Sequence, residues 1–139
     1  MYILKTEASF DSAHFLNGYQ GKCGNIHGHR WRIIAAICDD HLAECGNEKG
    51  MVVDFKDLKA ALKNEADELD HAMIIEKNSL RPELFDMLCE SGFKIISLDF
   101  TPTAENMSKY FYDRLKKRGY RVKEITVYET PNNCAVYSE

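Results

Sequence analysis

Three histidines near the start of the chain have the type and spacing of metal ligands. His27 and His29 flank Gly28, and alternate residues of a β-strand point to the same side, about 7 Å apart at Cα. The two imidazoles can therefore aim at one point, and Gly28 takes no room between them. An antiparallel neighbouring strand would bring His14 opposite this pair. Three neutral imidazoles leave a fourth coordination position open, which is typical of catalytic rather than structural zinc.

The histidine pair alone would be weak evidence, because paired histidines are often structural; the third histidine and a nearby cysteine strengthen it. Cys23 lies four residues before His27 and admits three interpretations. It can be a fourth zinc ligand, a packed thiol, or a general base, since a neighbouring cation favours the thiolate form. The spacing leaves all three open. The remaining cysteines lack such neighbours and are interpreted as structural: Cys38, Cys45, Cys89 and Cys134.

Two carboxylates also stand at positions suited to chemistry. Asp70 precedes His71 directly, and a carboxylate can hold an imidazole in one tautomer for proton transfer. The alternative is an ordinary cap at the C-terminus of a helix, where histidine interacts well with the dipole. Glu129 shares the parity of the apolar residues on the last long predicted strand. It either faces solvent beyond the sheet edge or accepts paired N–H donors from a ligand.

The elements that position these residues follow from apolar periodicity and turn residues. The alternating stretch from Tyr2 to His14 predicts a strand, and Asp54 is a good N-cap for a helix. The further predictions are strands at 27–39, 51–53, 94–100, 122–130 and near 135–137, and helices at 55–69, between Pro82 and Gly92, and from Thr101 as N-cap and Pro102 as first residue to about Gly119.

This order places hairpins at both ends and helices between them. Because strict alternation of strands and helices is absent, an α+β fold with a largely antiparallel sheet is favoured over a doubly wound fold. The 139 residues predict one domain, residues 1–139.

Composition excludes several classes of protein. A net charge of −4 argues against a nucleic-acid partner, and the longest apolar run, residues 33–38, is far shorter than the ~20 residues a membrane helix needs. The N-terminus has no pattern of a secretory signal. We therefore expect a cytoplasmic protein with no membrane partner and with reduced thiols.

Six motifs together carry a resemblance to a known family. They are Phe10-Asp11-Ser12-Ala13-His14, Cys23-x-x-x-His27-Gly28-His29, Val53-Asp54-Phe55, Leu69-Asp70-His71, Pro102-Thr103-Ala104-Glu105-Asn106 and Val127-Tyr128-Glu129-Thr130. In this order, over nearly the whole chain, they resemble the 6-pyruvoyl-tetrahydropterin synthase family. The three-residue spacer after the cysteine resembles the bacterial 6-carboxytetrahydropterin synthases of the queuosine pathway. Residues 76–100 are the least similar to the family.

The resemblance implies a role for each matching residue. It implies that His14, His27 and His29 bind zinc. It makes Cys23 the general base, while Asp70 and His71 form the proton relay.

A second group of matching residues belongs to substrate binding. Glu129 matches the carboxylate that anchors the amino-pyrimidine ring of the pterin by two parallel hydrogen bonds and that belongs to the proton-transfer network. Thr103 and Glu105 match a motif near the pterin pocket. Lys22, Arg30 and Arg32 are candidates for holding a triphosphate, and no spacing argument chooses among them.

The implied reaction converts 7,8-dihydroneopterin triphosphate to 6-carboxy-5,6,7,8-tetrahydropterin, with release of acetaldehyde and triphosphate. The alternatives are 6-pyruvoyl formation, which eliminates triphosphate without cleaving the side chain, and a non-catalytic module with a closed Cys-His₃ zinc site. The resemblance further implies a tunnelling fold (T-fold) that assembles into an oligomeric β-barrel, a hexamer of two trimers with active sites at subunit interfaces.

Overall fold

A computed structural model describes residues 1–139, and in it six strands form one sheet. The elements follow in the order β1 (Tyr2–His14), β2 (His27–Asp39), α1 (Phe55–Leu69), β3 (Ala72–Glu76), α2 (Pro82–Glu90), β4 (Ile95–Leu98), α3 (Ala104–Lys117), β5 (Val122–Thr130) and β6 (Asn133–Tyr137), with a short 3₁₀ helix, Lys22–Gly24, between β1 and β2. No helix is both long enough and apolar enough to cross a membrane.

The sheet is mixed, with the strand order β4-β3-β1-β2-β5-β6. Strands β1, β2, β5 and β6 are antiparallel neighbours, which confirms the α+β prediction. Strand β3 runs parallel to β1 and pairs only with residues 12–14, and β4 runs parallel to β3. Residues 2–10 of β1 therefore have a strand partner on one side only.

Helices α1 and α3 pack on one face of this sheet and bury the core. The core side chains include Phe10, Trp31, Ile33, Leu62 and Phe111, all at most 2% exposed. Because side chains alternate across a strand, the opposite face carries the charged residues. There, cross-strand ion pairs join Lys5 to Glu124, Glu7 to Arg32 and Asp11 to Arg30, at 3.2, 3.6 and 3.2 Å.

Helix α1 has the predicted bounds because its local signals agree. The Asp54 side chain accepts the N–H of Lys56 at 2.8 Å, and Leu58, Leu62, Ala66 and Leu69 form a buried stripe at helical spacing.

Helix α3 begins two residues later than predicted. Thr103, not Thr101, is the N-cap, because its hydroxyl accepts the N–H of Asn106 at 3.3 Å and its carbonyl accepts the N–H of Met107. Pro102 is not helical, since its carbonyl is bound to His14 instead.

Two further strand predictions need correction. Residues 51–53 form a bend rather than a strand, because Met51 bonds back to Ala43 and Glu48 within its own loop. Strand β3 was missed, since its residues follow the helix after only two others and Ile74 and Ile75 are both buried, which removes any alternation. With α2 and β4, which the pattern predicted, β3 forms a parallel β-α-β unit in residues 72–98.

Candidate metal and substrate site

The histidines converge at the end of the β1–β2 pair. The register places His14 directly opposite His27, and Ser12 opposite His29. One ring nitrogen from each histidine lies within 4.8 Å of those of the other two, so this group could hold a metal ion. The His14 and His27 Nε2 atoms are 3.1 Å apart.

Backbone carbonyls fix the tautomers of two of these rings. His14 Nδ1 donates to the carbonyl of Pro102 at 2.8 Å, and His27 Nδ1 donates to the carbonyl of Asn25 at 2.7 Å. Since a carbonyl only accepts, Nδ1 carries the proton in each neutral ring. The two facing Nε2 atoms then both present lone pairs, which repel at this distance. A cation between them relieves that repulsion.

The third histidine fits the same interpretation. His29 Nε2 is buried and has no hydrogen-bond partner, and a buried polar atom without a partner is costly unless an ion or water satisfies it. Its closest charged neighbour is Glu129 Oε1 at 3.7 Å. The residues present therefore suit a metal ion held by three Nε2 atoms.

Burial favours the neutral form of two of these imidazoles, His14 and His29. His14 is fully buried, and burial lowers its pKa from 6.5 to about 4, although the Pro102 carbonyl raises it; His27 and His29 lower it further. Burial also lowers the pKa of His29, against the opposing effect of Glu129. The neutral form that ligates metals is thus favoured at pH 7.

Glu129 lies beside the histidines at the end of β5, where the pairing with β6 is irregular. Its Oε1 is 3.3 Å from His14 Nε2. Together with Thr103 and Glu105 it lines a cavity of about 300 Å³, whose other walls are Leu16, Ala104, Asn133, Cys134 and Ala135. The structure thus brings all three residues predicted for substrate binding to one cavity.

The side chains of Asp70 and His71 are in hydrogen-bond contact, and Asp70 also shapes the backbone. Asp70 Oδ2 is 2.8 Å from His71 Nδ1, and Asp70 Oδ1 accepts the backbone N–H of Asp11 at 2.9 Å. That hydrogen bond is the main cause that lowers the pKa of Asp70; His71 lowers it further, against the effect of burial. Asp70 is the C-cap of α1, and His71 adopts a left-handed φ of 55° with its side chain 79% exposed.

Cys23 is not part of the histidine group. It lies in the 3₁₀ helix with its side chain exposed, and its carbonyl accepts the N–H of Leu16 at 2.8 Å. Within one chain, therefore, the structure does not place Cys23 among the metal ligands.

Two of the candidate triphosphate ligands lie on the other side of the site. Arg30 and Arg32 line a cavity of about 510 Å³ together with His29, Glu129 and Tyr128. The Arg32 guanidinium stacks 4.3 Å from the centre of the Tyr128 ring. Lys22 is exposed on the 3₁₀ helix.

Sequence reasoning missed the groups that hold the histidines. The carbonyls of Pro102 and Asn25 belong to the backbone, so the spacing of side chains in the sequence does not predict them. Trp31 also packs against the site, because its ring is 5.0 Å from that of His14 and 5.6 Å from that of His29. Its position two residues after His29, on the same strand face, was the available signal.

Comparison with known proteins agrees with this architecture. The family model for 6-pyruvoyl tetrahydropterin synthase matches residues 3–139. A Haemophilus influenzae protein named 6-carboxy-5,6,7,8-tetrahydropterin synthase is 35% identical over 142 residues, covering 100% of both chains. An Aquifex aeolicus protein of the same name is 38% identical over 128 residues, covering 85% of this chain and 76% of its own.

A solved structure extends the likeness to the fold. The 6-pyruvoyl tetrahydropterin synthase of Caenorhabditis elegans superimposes with a TM-score of 0.66 and 25% identity, covering 100% of this chain and 97% of its own. The predicted T-fold is confirmed by this match. Because the family model matches residues 3–139 and the Haemophilus influenzae relative is 35% identical over the whole chain, this chain belongs to the 6-pyruvoyl tetrahydropterin synthase family.

Proposed function

We propose that this protein is a zinc-dependent carbon-carbon lyase that converts 7,8-dihydroneopterin triphosphate to 6-carboxy-5,6,7,8-tetrahydropterin, releasing acetaldehyde and triphosphate. One observation carries the proposal. Three histidine nitrogens converge beside Glu129 and a cavity, in a chain that is similar over its full length to a protein named for this product. We place the reaction in the cytoplasm, in queuosine biosynthesis.

The metal site suits zinc. Two nitrogens bound to one tetrahedral zinc at about 2.0 Å lie roughly 3.3 Å apart, which is close to the 3.1 Å between His14 and His27 Nε2. When bound, zinc would act as a Lewis acid that acidifies the side-chain hydroxyls of the substrate. His14, His27 and His29 would hold the ion.

Glu129 binds the pterin in this proposal. Its carboxylate accepts two parallel hydrogen bonds from the amino-pyrimidine ring, and Thr103 and Glu105 line the same cavity. Because Glu129 Oε1 lies 3.3 Å from His14 Nε2, a ring anchored by Glu129 would lie next to the three histidines, with its side chain directed toward the ion that they would hold.

Cys23 removes the substrate proton, and His71, oriented by Asp70, moves it elsewhere. Both Cys23 and His71 are exposed in one chain. Their exposure supports active sites that are completed at subunit interfaces, where a neighbouring chain excludes water from them.

We further propose that the assembly is a hexamer of two trimers built around a β-barrel. Residues 2–10 of β1 and the outer side of β6 are open sheet edges, and open edges are templates for pairing with another chain. Tyr2, Ile3 and Val136 at these edges are about half exposed. An active monomer in light scattering would contradict this assembly.

Product analysis tests the reaction. The purified, zinc-loaded protein is incubated with 7,8-dihydroneopterin triphosphate, and the products are identified by mass spectrometry. Acetaldehyde together with the 6-carboxy product is expected. A 6-pyruvoyl product that retains the whole side chain would contradict the proposal and establish the alternative reaction.

The variant Cys23→Ala tests whether the metal site is open. We expect full zinc content and lost turnover, because Cys23 lies outside the histidine group. Strong loss of zinc would instead establish a closed Cys-His₃ site. The matched control is Cys45→Ala, which removes another exposed thiol and is expected to change neither zinc content nor turnover.

A further inference from the structure

The connection between β4 and α3, residues 99–103, carries the carbonyl that fixes the most buried histidine. Pro102 and His14 are both buried, and the Pro102 carbonyl accepts His14 Nδ1–H at 2.8 Å. The ring of proline fixes its own φ near −65°. The direction of its carbonyl is set by ψ of Pro102, and the hydrogen bond from the Thr103 N–H to the Thr101 carbonyl, which closes a turn around Pro102, restricts that angle. The carbonyl direction therefore depends on how Thr101 is held.

Thr101 is hydrogen-bonded on two sides. Its hydroxyl donates to Glu76 Oε2 at 3.1 Å. Its carbonyl accepts from Asn106 Nδ2 at 2.9 Å and from the backbone N–H of Thr103 at 2.8 Å. The connection is therefore tied to α3 by its carbonyl and to the sheet by its side chain.

The tie to the sheet comes from the β-α-β unit of residues 72–98. Glu76 is the last residue of β3 and pairs with Leu98, the last residue of β4. Parallel pairing places the ends of both strands at the same edge of the sheet. The Glu76 carboxylate thus lies beside the point where the chain leaves β4 for Pro102.

We propose that Glu76 and Thr101 are positioning residues for the metal ligand His14. Their hydrogen bond fixes Thr101, which aims the Pro102 carbonyl at His14 Nδ1 and so keeps Nε2 unprotonated and directed at the metal. The inference rests on the metal site of the proposed function and gives the β-α-β unit a role in it. Partners that orient ligand histidines change metal affinity by about 10- to 100-fold. Because Thr101 and Glu76 act on His14 through Pro102 and do not contact its ring, we expect a change in metal affinity at the lower end of that range.

Zinc affinity of Thr101→Val is the principal test. Zn²⁺ alone is titrated against a competing chelator at pH 7.5, and the free energy of unfolding of each variant is measured by urea. We expect about tenfold weaker zinc binding for Thr101→Val and near wild-type binding for Thr101→Ser, which keeps the donor.

A matched control removes a similar bond from the same unit. The Ser91 hydroxyl donates to the Met87 carbonyl at 2.8 Å, at the end of α2. Ser91→Ala is expected to bind zinc as the wild type does. Equal weakening in Ser91→Ala and Thr101→Val would overturn the proposal, because it would show a general loss of stability in the unit.

The tautomer of His14 supplies a readout that a merely structural bond would not change. Imidazole ¹⁵N shifts of the metal-free protein are expected to give only the Nδ1–H form in the wild type and a mixture in Thr101→Val. An unchanged tautomer together with unchanged zinc affinity would overturn the proposal. Both measurements are made without substrate, so they are independent of which product the enzyme makes.

A second pair of variants replaces Thr101→Val if that protein does not fold. Glu76→Gln keeps a side-chain carbonyl that can accept from Thr101, whereas Glu76→Leu does not. We expect zinc affinity near wild type for Glu76→Gln and about tenfold lower for Glu76→Leu. Equal affinities in these two variants would overturn the proposal.

Discussion

The buried, neutral state of His14 should make the metal-free protein lose stability in mild acid. In the folded chain the pKa of His14 is lowered to about 4, mainly by burial, whereas in the unfolded chain it returns to about 6.5. Between these values the unfolded chain binds a proton at this position and the folded chain does not. The free energy of unfolding therefore falls as the pH falls from 6.5 to about 4.

The size of this effect follows from the two pKa values. Across the full window it corresponds to about 3 kcal/mol, and between pH 7 and pH 5 to about 2 kcal/mol. Domains of this size are stable by roughly 5–15 kcal/mol, so the loss is a measurable fraction. Carboxylates also titrate near the acidic end, so the effect of His14 must be taken as a difference between two proteins.

Urea unfolding with EDTA present, at pH values from 4.5 to 8, provides the assay. Trp31 is the only tryptophan and is fully buried against His14, so its fluorescence reports loss of this part of the core. His14→Gln removes the titrating group and keeps an N–H that can donate to Pro102. Its stability should change by about 2 kcal/mol less than that of the wild type between pH 7 and pH 5.

Two outcomes would refute this reasoning. One is a His14→Gln variant whose pH dependence equals that of the wild type. The other is a His41→Gln variant, with an exposed histidine replaced, that loses the pH dependence as fully as His14→Gln does. A smaller acid sensitivity should persist in His14→Gln, because burial also lowers the pKa of His29.

Three further substitutions test the buried pairing of Glu65 with Arg114 and Arg118, the N-cap of α1, and the proposed pterin ligand Glu129. Glu65 is 2% exposed and bonds to two arginines of the α3 region, so Glu65→Gln should lower the free energy of unfolding in urea by about 2 kcal/mol. Replacement of the exposed Glu68 by Gln should lower it by less than about 1 kcal/mol. Equal losses in the two variants would contradict the argument from burial. Asp54→Ala should lower the free energy of unfolding by about 1 kcal/mol because the α1 cap is lost, and Asp54→Asn should lower it much less. Equal unfolding temperatures for the two variants would argue against the cap. Glu129→Gln should lower kcat/KM about 10- to 100-fold by weakening its paired hydrogen bonds, and an unchanged steady-state value would remove Glu129 as the pterin anchor.

Local periodicity was sufficient to predict the part of the fold that brings the histidines together. Long alternation in β1 and β2 identifies which side chains share a face, and an antiparallel hairpin then places His14 opposite His27. Helix α1 was equally predictable, since its cap and apolar stripe agree. These elements depend on neighbours close in sequence or on one simple pairing.

The parts that escaped prediction depend on tertiary contacts. Strand β3 buries the adjacent residues Ile74 and Ile75, so its five residues show no regular alternation, and its parallel pairing with β1 becomes visible only in three dimensions. The start of α3 was misplaced because Thr101 and Thr103 are both good caps, and the choice is made by the bond between the Pro102 carbonyl and His14. The nine-residue helix α2 was predictable because Pro82 and Gly92 mark its two ends. No sequence pattern predicts that the β-α-β unit of residues 72–98 contacts the connection to α3.

The turn at Asp70 and His71 shows that a structural and a chemical interpretation of one motif can both hold. The Asp70 carboxylate has a structural role, because it accepts the backbone N–H of Asp11. The backbone N–H of His71 donates to the Asp11 carbonyl at 2.7 Å. This two-point contact with β1 is where β3 begins to pair. Replacing Asp70 would therefore disturb the fold and the imidazole at once.

His71 is the position at which a role in proton transfer can be separated from the structure of the turn. Only its backbone N–H contacts β1, and its side chain takes no part in that contact. Asparagine there tolerates the left-handed φ and keeps the backbone bond while removing the imidazole, which isolates the chemistry from the strand pairing that the same turn starts.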